Sequence, residues 1–339
     1  MKKKIVIAGG HVTPAIALID ELTKDNTIDI VFVGRKSAAE YSLIHEKGIR
    51  FLPIAAGKRS WSTCTNIPVG CIQALVYCMR EKPDLIVSFG GYVALPVAVA
   101  GWMFRIPVLT HEQTLDLGLA NRIIARIAKR VCVTYRETLQ QFPSGVVTGL
   151  PMRKELFEPP KKPAYNIDEK NYPLIYITGG SQGARSLNEK IAAAIPELTK
   201  SYTVIHQTGS ATYKNATRYI VERYITVTKL SWILEHAVIV VGRSGANTTM
   251  ECAVLGKVAI LVPLPWSAGN EQLLLARWLS SRGSAEIIEQ HVLDGRTLVR
   301  RIQKIREDYE ALHKCAEIFS REIPRDGAKR LAREVRSLL

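Results

Sequence analysis

The 339-residue sequence lacks the residue patterns that hold metal ions or form disulfide frameworks. Its six cysteines include no Cys-x-x-Cys pair and no cluster with histidine at zinc-ligand spacing. Reduced cytosolic thiols are therefore expected. Cys64, Cys71 and Cys78 recur every seven residues, which favours packing on one face of a helix over metal binding.

Long apolar segments are missing as well. No stretch approaches the roughly 18 uncharged apolar residues of a membrane-spanning helix. The opening residues, MKKKIVIAGG, begin with basic side chains but lack the apolar run and cleavage site of a signal peptide. They are predicted to form a first β-strand.

Acidic residues are too few to balance the basic ones. Lysine and arginine number 46 against 31 aspartates and glutamates, a net charge of +15. Such an excess favours an anionic partner, which could be nucleic acid, an acidic lipid surface or a phosphate-rich substrate. Nucleic acid is the weakest of the three, because aromatic platforms and recognisable binding modules are absent. The alternative that lysine-rich helices only keep the protein soluble stays open.

Apolar strands alternate with helices through both halves of the chain, which predicts an α/β fold with parallel sheets covered on both faces. The length predicts two domains. We place an N-terminal domain at 1–152, a proline- and lysine-rich linker at 153–173, a C-terminal domain at 174–322 and a last helix at 323–339, expected to pack back on the first domain. Each half opens with strand, Gly-Gly turn and helix, so two doubly wound Rossmann-like domains facing a central cleft are predicted.

Three local predictions bear on the site and on the surface. Pro68–Met79 is predicted to be an apolar helix, Ile225–Val227 a strand, and Thr297–Phe319 a basic amphipathic helix.

The stretch Ile175–Leu187, IYITGGSQGARSL, carries the strongest chemical indication. A strand runs into glycines at 179, 180 and 183, and a helix is predicted to start near Ala184. Glycines allow a sharp turn and let a ligand approach main-chain N–H groups, and a helix start adds a positive dipole end. A diphosphate suits such a turn. The alternative is that the glycines only permit a tight turn.

Neither of the common nucleotide-binding patterns accompanies this turn. No Lys-Ser/Thr pair of the P-loop type follows it, and no acidic residue stands at the spacing that reads a nicotinamide ribose. A nucleotide sugar is therefore favoured. The sequence also contains no Asp-x-Asp pair to hold a metal beside the diphosphate. Backbone N–H groups and a cation such as Arg153 are the predicted substitutes.

Several motifs together resemble one family. They are Gly9-Gly10-His11 with Pro14-Ala15, Ser88–Tyr92 (SFGGY), His111-Glu112-Gln113, Gly118–Asn121 (GLAN), Gly149 with Pro151 and Arg153, Gly179–Ala184, Ser244-Gly245-Ala246 with Thr248 and Glu251, and Asn270-Glu271-Gln272. In this order they resemble the MurG glycosyltransferases, which make the second lipid-linked precursor of peptidoglycan.

The resemblance implies a GT-B fold and an inverting, metal-independent N-acetylglucosaminyltransferase without cofactor. It implies UDP-GlcNAc as donor and undecaprenyl-diphosphoryl-MurNAc-pentapeptide (lipid I) as acceptor, giving lipid II for the cell wall, cell shape and cell division. The implied location is the cytoplasmic side of the inner or plasma membrane, as a peripheral protein on an anionic surface, with other cell-wall synthesis proteins as partners. A nucleotide-sugar-binding protein, an epimerase-like relative, or a GT-B transferase with another acceptor is the alternative.

The resemblance also assigns residues. His11 is implied as the catalytic base, because a neutral imidazole can take the proton from the acceptor's sugar hydroxyl; capping the helix or binding phosphate are the alternatives. Glu251 is expected at the ribose hydroxyls, Gln272 at the sugar and Val227 at the uracil. The full donor-binding set is Gly10, Thr114, Arg153, Ser181, Gln182, Gly183, Val227, Ala246, Thr248, Glu251 and Gln272. The acceptor-binding set is Gly9, Tyr92, His111, Glu112 and Asn121; for His111 a packed, structural role is the alternative.

The sequence departs from the family at three positions. Gly9-Gly10-His11 is three residues shorter than the family's first loop, Thr114 stands in place of a usual asparagine, and Leu150 replaces another. These departures put acceptor-phosphate binding and donor geometry in question.

A short apolar stretch with basic flanks is the predicted membrane contact. It comprises Ile67, Val69, Ile72, Leu75 and Val76, between Lys58-Arg59 and Arg80-Lys82. A helix of that size can lie among lipid headgroups but cannot cross a bilayer. The alternative is that this face packs on the sheet.

Overall fold

The structure, a computed structural model, describes residues 2–36, 38–55, 62–180 and 183–339, without the side chains of 38–39 and 62–67. The chain divides into two compact units. Unit 1 comprises Met1–Arg153 and Arg325–Leu339, and unit 2 comprises Lys154–Pro324. Residues 154–173, expected to be a linker, therefore group with unit 2.

The β-strands are Lys3–Ala8 (β1), Ile28–Gly34 (β2), Arg50–Pro53 (β3), Leu85–Ser88 (β4), Val108–Glu112 (β5), Arg130–Val133 (β6), Val146–Val147 (β7), Leu174–Thr178 (β8), Thr203–Gln207 (β9), Tyr219–Glu222 (β10), Ala237–Gly242 (β11), Val258–Leu261 (β12) and Ala285–Ile287 (β13). The α-helices are Val12–Leu22 (α1), Ala38–Glu46 (α2), Ser62–Glu81 (α3), Gly91–Met103 (α4), Leu119–Ile127 (α5), Arg185–Ile191 (α6), Ile195–Leu198 (α7), Val227–His236 (α8), Ala246–Val254 (α9), Glu271–Ser280 (α10), Gly295–Glu307 (α11), Tyr309–Ser320 (α12) and Gly327–Arg336 (α13).

Unit 1 is built on a parallel sheet. Within the described residues it has seven strands in the order β3-β2-β1-β4-β5-β6-β7. Alternate residues of β1 enter opposite cores: Ile5 and Ile7 pack with α1, α2 and α13, whereas Val6 and Ala8 pack with α3, α4 and α5. Strands buried on both faces explain their nearly continuous apolar sequences. The chain order reverses between β1 and β4, which is where doubly wound sheets bind ligands.

Unit 2 repeats this architecture with a parallel sheet in the order β10-β9-β8-β11-β12-β13, as far as the described part of the chain shows. One face packs against α6, α7 and α11, and its order reverses between β8 and β11. The predicted doubly wound architecture is confirmed for each half.

Two local predictions are wrong. Ile225–Val227 is not a strand: β10 ends at Glu222, and Val227 is the first residue of α8, with the Thr226 hydroxyl accepting from the Lys229 N–H at the helix start. The helix over Thr297–Phe319 is two helices that meet at Asp308. The helix predicted over Pro68–Met79 exists but is longer at both ends.

Candidate functional site

In unit 1, the predicted residues lie at the carboxyl ends of three adjacent strands. Gly9, Gly10 and His11 follow β1, Gly90 to Tyr92 follow β4, and His111 and Glu112 end β5. Gly9 packs directly on the end of β4, because a Cβ added to it would lie 2.8 Å from the Cβ of Phe89. The parallel register brings these segments, far apart in sequence, to one edge of the sheet.

His11 is the exposed histidine of this edge. It occupies the N-cap position of α1 without a side-chain capping bond, so the predicted alternative of a helix-capping imidazole is not what the structure shows. Desolvation by surrounding protein lowers the pKa of His11. Because the residue still contacts water, this effect acts on it more weakly than on an enclosed ring. A neutral, accessible imidazole is the form that can accept a proton.

His111 is enclosed and fully hydrogen-bonded. Its Nε2 lies 3.1 Å from the Gly149 carbonyl and its Nδ1 3.3 Å from the Gln113 side-chain nitrogen. A carbonyl only accepts, so Nε2 carries the proton and Nδ1 accepts from Gln113. Desolvation lowers the pKa of His111 to about 4, against the opposing Gly149 hydrogen bond. The ring has no exposed surface, which favours the alternative of a packed, structural His111; its contact with the acceptor stays a prediction.

Glu112 organises the loop after β5. One carboxylate oxygen accepts from the N–H and hydroxyl of Thr114, each at 2.9 Å, and the other accepts from the Asn121 amide at 2.6 Å. Burial raises the pKa of Glu112, and these hydrogen bonds oppose the rise. Glu112 and Thr114 are buried, and their polar atoms hold the loop together; the predicted contacts of Glu112 with the acceptor and of Thr114 with the donor stay predictions.

Asn121 is partly satisfied and faces the turn before α4. Its Oδ1 is buried and has no hydrogen-bond partner among the described residues. A Cβ on Gly90, which has a φ of +76°, would lie 2.4 Å from this oxygen. Only glycine fits that approach. The exposed Tyr92 stands in the first turn of α4 beside it.

Leu150, one of the departures, is buried, and Arg153 is half-buried at the end of the first segment of unit 1.

In unit 2, the glycine turn after β8 lies at the carboxyl edge of the sheet. Gly180 and Gly183 have φ values of +85° and +72°, in the region that favours glycine. The Gly180 N–H donates to the Thr178 hydroxyl at 2.9 Å, and that hydroxyl donates to the Gln207 amide oxygen at 3.2 Å. Helix α6 begins at Arg185, close to the predicted start. Ser181 and Gln182, predicted to bind donor, lie outside the described residues.

The remaining predicted donor residues occupy α9 and α10. Ala246 and Thr248 belong to the first turn of α9, and Glu251 is half-buried farther along that helix. Gln272, at the start of α10, accepts from the Leu264 N–H at 3.0 Å, and its carbonyl accepts from the Ser244 hydroxyl at 2.7 Å. Gln272 therefore ties the loop after β12 to the start of α9. Val227 is half-buried at the start of α8.

Arg243 is a residue of this edge that the sequence interpretation does not single out. It follows β11 and is 5% exposed. Its guanidinium donates to the Val262 carbonyl at 3.1 Å, to the Ser186 hydroxyl at 2.9 Å and to the Gln290 side chain. Burial lowers its pKa, and its Nε has no partner among the described residues. An arginine directly after a buried strand was the available clue.

The part of the chain that the structure describes contains no group of three or more histidine, cysteine or acidic side chains that could hold a metal ion.

Comparisons with known proteins place both units in one family. The Glycosyltransferase family 28 N-terminal domain matches residues 8–133, and the family 28 C-terminal domain matches residues 174–331. Both belong to one two-domain family.

Curated relatives extend over nearly the whole chain. A Clostridium tetani protein named UDP-N-acetylglucosamine–N-acetylmuramyl-(pentapeptide) pyrophosphoryl-undecaprenol N-acetylglucosamine transferase is 32% identical over 330 residues, covering 91% of this chain and 92% of the relative. A Treponema pallidum protein of the same name is 34% identical, covering 86% and 83%.

Solved structures agree with this assignment. The crystal structure of Acinetobacter baumannii MurG covers 99% of both chains with 25% identity and a TM-score of 0.76. The UDP-GlcNAc 2-epimerase of Neisseria meningitidis, with 15% identity, a TM-score of 0.72 and 99% coverage of both chains, shares the fold alone. The chain has the GT-B fold and belongs to glycosyltransferase family 28 and, within it, to the MurG family.

Proposed function

We propose that this protein transfers N-acetylglucosamine from UDP-GlcNAc to undecaprenyl-diphosphoryl-MurNAc-pentapeptide, giving lipid II and UDP. The observation that carries the proposal is the similarity, over 91% of the chain, to an enzyme named for this transfer. A second candidate, a nucleotide-sugar-binding or epimerase-like protein, is favoured only by the shared fold.

In this proposal, unit 2 binds the donor. The glycine turn 179–183 offers main-chain N–H groups to the diphosphate, and Glu251 accepts hydrogen bonds from the ribose hydroxyls. Gln272, Ala246, Thr248 and the turn residues Ser181 and Gln182 complete the proposed donor contacts. The start of α8 at Val227 is proposed to meet the uracil, and Arg153 to offset the charge of the departing diphosphate.

Unit 1 is proposed to hold the acceptor. Gly9, Tyr92 and Asn121, whose Oδ1 has no hydrogen-bond partner among the described residues, lie at the same sheet edge as His11 and are the proposed acceptor contacts. Gly10 is proposed to contact the donor. The His11 imidazole takes the proton from the acceptor's sugar hydroxyl while that oxygen bonds to C1 of GlcNAc. The bond from C1 to the diphosphate oxygen breaks, UDP leaves, and the configuration at C1 inverts. His111 and Glu112 hold the surrounding loops.

A membrane surface is the proposed location of the reaction. Helices α3, α4 and α5 cover one face of unit 1, and large apolar side chains on them, or directly after α4, are exposed. They are Val69, Ile72, Met79, Trp102, Met103, Phe104, Leu119 and Ile123. None of the helices among the described residues has the length and apolarity to cross a bilayer.

The charge of unit 1 supports the same surface. Unit 1 carries 24 lysines and arginines against 13 aspartates and glutamates, a net charge of +11, whereas unit 2 carries 22 against 18, or +4. Each basic side chain near an anionic membrane contributes about 1 kcal/mol of attraction. Leu75, in the predicted contact stretch, packs partly against the core, and Ile67, Lys58 and Arg59 lie outside the described side chains. The proposed contact therefore centres on Ile72 and Trp102.

The decisive experiment measures UDP release from UDP-GlcNAc with and without a prenyl-diphosphoryl-MurNAc-pentapeptide, together with the mass of the lipid product. Acceptor-dependent UDP release and a product heavier by one N-acetylhexosamine are expected. UDP-GlcNAc binding without acceptor-dependent release would favour the second candidate.

A further inference from the structure

A chain of buried polar side chains runs through unit 2 behind the glycine turn. It consists of Asn188 on α6, His206 on β9 and Tyr219 on β10, all of them buried. The Asn188 side-chain nitrogen donates to the Thr208 carbonyl at 2.9 Å. His206 Nε2 lies 3.1 Å from Asn188 Oδ1, and His206 Nδ1 lies 2.9 Å from the Tyr219 hydroxyl. Three secondary-structure elements are thereby joined by one path of hydrogen bonds.

The direction of every hydrogen bond in this path is determined. The Thr208 carbonyl can only accept, so the Asn188 nitrogen points to it and Asn188 Oδ1 points to His206. An amide oxygen can only accept, so His206 Nε2 carries the proton. Nδ1 is then an acceptor, and Tyr219 donates to it. The path is complete with a neutral His206, and burial lowers the pKa of this histidine to about 4.

The path ends directly beneath the glycine turn. A Cβ on Gly183 would lie 2.4 Å from the Thr208 carbonyl oxygen and 2.7 Å from the Gly209 Cα. The turn therefore rests on the peptide that Asn188 holds. Asn188 belongs to the helix that follows the turn, and its N–H donates to the Ala184 carbonyl at 2.9 Å. Asn188 is thus hydrogen-bonded both to the peptide on which Gly183 packs and to Ala184, the residue that follows Gly183.

We propose that His206 is a positioning residue for the donor diphosphate. It fixes the Asn188 amide by donating from Nε2, and Asn188 fixes the Thr208 carbonyl on which Gly183 packs. The Gly183 end of the turn and the start of α6 are thereby held in place before the diphosphate binds. This inference rests on the proposed function, because UDP-GlcNAc is the ligand that reports the geometry of the turn. His206 itself is enclosed and touches no ligand.

Side-chain variants of His206 separate its hydrogen bond from its packing. His206→Leu removes the donor to Asn188 and leaves Oδ1 unpaired, so the Kd for UDP-GlcNAc measured by calorimetry should rise about tenfold. His206→Gln retains an N–H donor at the end of the side chain and should stay within about threefold of the unaltered protein. The KM for the lipid acceptor should be unchanged in both, which a general loss of structure would not produce.

Several results would overturn the inference. One is a folded His206→Leu protein that binds UDP-GlcNAc as tightly as the unaltered protein, and another is an equal loss in the leucine and glutamine variants. If His206→Leu does not fold, Tyr219→Phe replaces it, since this change removes only the hydroxyl that donates to Nδ1. Faster amide exchange of residues 179–188 and a Kd raised about threefold are then expected, and unchanged values of both would refute the role. Failure of the unaltered protein to bind UDP-GlcNAc would instead refute the proposed function.

Discussion

His11 and His111 end neighbouring strands but differ in what each can do with a proton. His111 has both nitrogens occupied, whereas the His11 ring is exposed and does not cap its helix. We therefore expect His11→Ala to lower kcat by about 10²–10⁴ with UDP-GlcNAc affinity unchanged. Steady-state rates and calorimetry on one preparation measure both.

A control for this change is His45→Ala, which alters an exposed histidine at the end of α2 and should leave kcat unaltered. If His11→Ala retains kcat and raises only the acceptor KM, His11 binds substrate and another group is the base.

Glu251 is expected to determine donor affinity. A hydrogen bond to a charged group is worth roughly 1.5–3 kcal/mol, so Glu251→Ala should weaken UDP-GlcNAc binding about tenfold to a hundredfold. For Glu251→Gln, which retains the acceptor oxygen without the charge, we expect a Kd between those of the unaltered protein and Glu251→Ala. The exposed Glu310 on α12 provides the matched control. Calorimetry that gives the same Kd for Glu251→Ala and Glu310→Ala would remove Glu251 from the donor site.

The two enclosed histidines predict how stability varies with pH. His111 and His206 have pKa values lowered to about 4 by burial, against about 6.5 in the unfolded chain. Between pH 6.5 and about 4, the unfolded chain binds protons at these histidines that the folded chain does not. The free energy of unfolding should therefore decrease as the pH is lowered through this range. Each histidine contributes at most about 1.4 kcal/mol per pH unit. Urea unfolding at pH 7.5, 6 and 5 tests this, and His206→Gln should reduce the slope; an equal slope in that variant would contradict it.

At the scale of elements, α3 and α4 present the proposed membrane surface. Ile72 is 63% exposed and Trp102 57% exposed, so charging them removes no core packing. Ile72→Glu with Trp102→Glu should reduce co-flotation with vesicles containing anionic lipid, because charge is poorly accommodated among acyl chains. The exposed Val292 of unit 2, changed to glutamate, is the control. Flotation that survives the double change in a folded protein would place the contact elsewhere.

The order of strand, glycine turn and helix could be predicted from sequence because each of these elements depends on residues that are close together in the chain. β-Branched runs buried on both faces and glycines at positive φ leave a pattern visible within about ten positions. The strand predicted over Ile225–Val227 is wrong because a β-branched stretch that caps and starts a helix looks locally like the start of a strand. The break between α11 and α12 at Asp308 escaped for a similar reason, since the amphipathic pattern continues across it.

The supports of the site could not be predicted, because they join residues distant in the chain. His111 meets the Gly149 carbonyl across 38 positions, and Arg243 reaches Gln290 across 47. Local sequence gives no measure of such contacts. It therefore leaves open whether His111 contacts the acceptor or packs inside the fold, and burial with two hydrogen bonds favours the packed, structural role.

At the scale of the whole molecule, unit 1 depends on residues that follow unit 2. Helix α13 packs beside α1, and its Leu331, Ala332 and Val335 are fully buried in the unit 1 core. Burial of the leucine and the valine alone contributes roughly 3–6 kcal/mol. Removing residues 325–339 should therefore lower the unfolding temperature of unit 1 while unit 2 unfolds as before.

In differential scanning calorimetry, we expect the unfolding transition of unit 1 to shift to a lower temperature and that of unit 2 to stay unchanged. Leu331→Ala, expected to cost about 2–5 kcal/mol, tests the same point in the full chain. If the unfolding temperature of unit 1 is the same in both variants as in the unaltered protein, α13 does not stabilise unit 1.

The return of the chain to unit 1 also sets an order of events during synthesis. Unit 2 is one continuous segment and can fold once it has left the ribosome, whereas the surface of α1 that α13 covers must wait for about 170 further residues. At bacterial and eukaryotic elongation rates of about 5–20 residues per second, that delay is roughly 10–35 s. During that delay unit 2 is still being made and unit 1 keeps exposed the apolar surface that α13 later covers, so we expect nascent unit 1 to be the part of the chain that most needs protection by molecular chaperones.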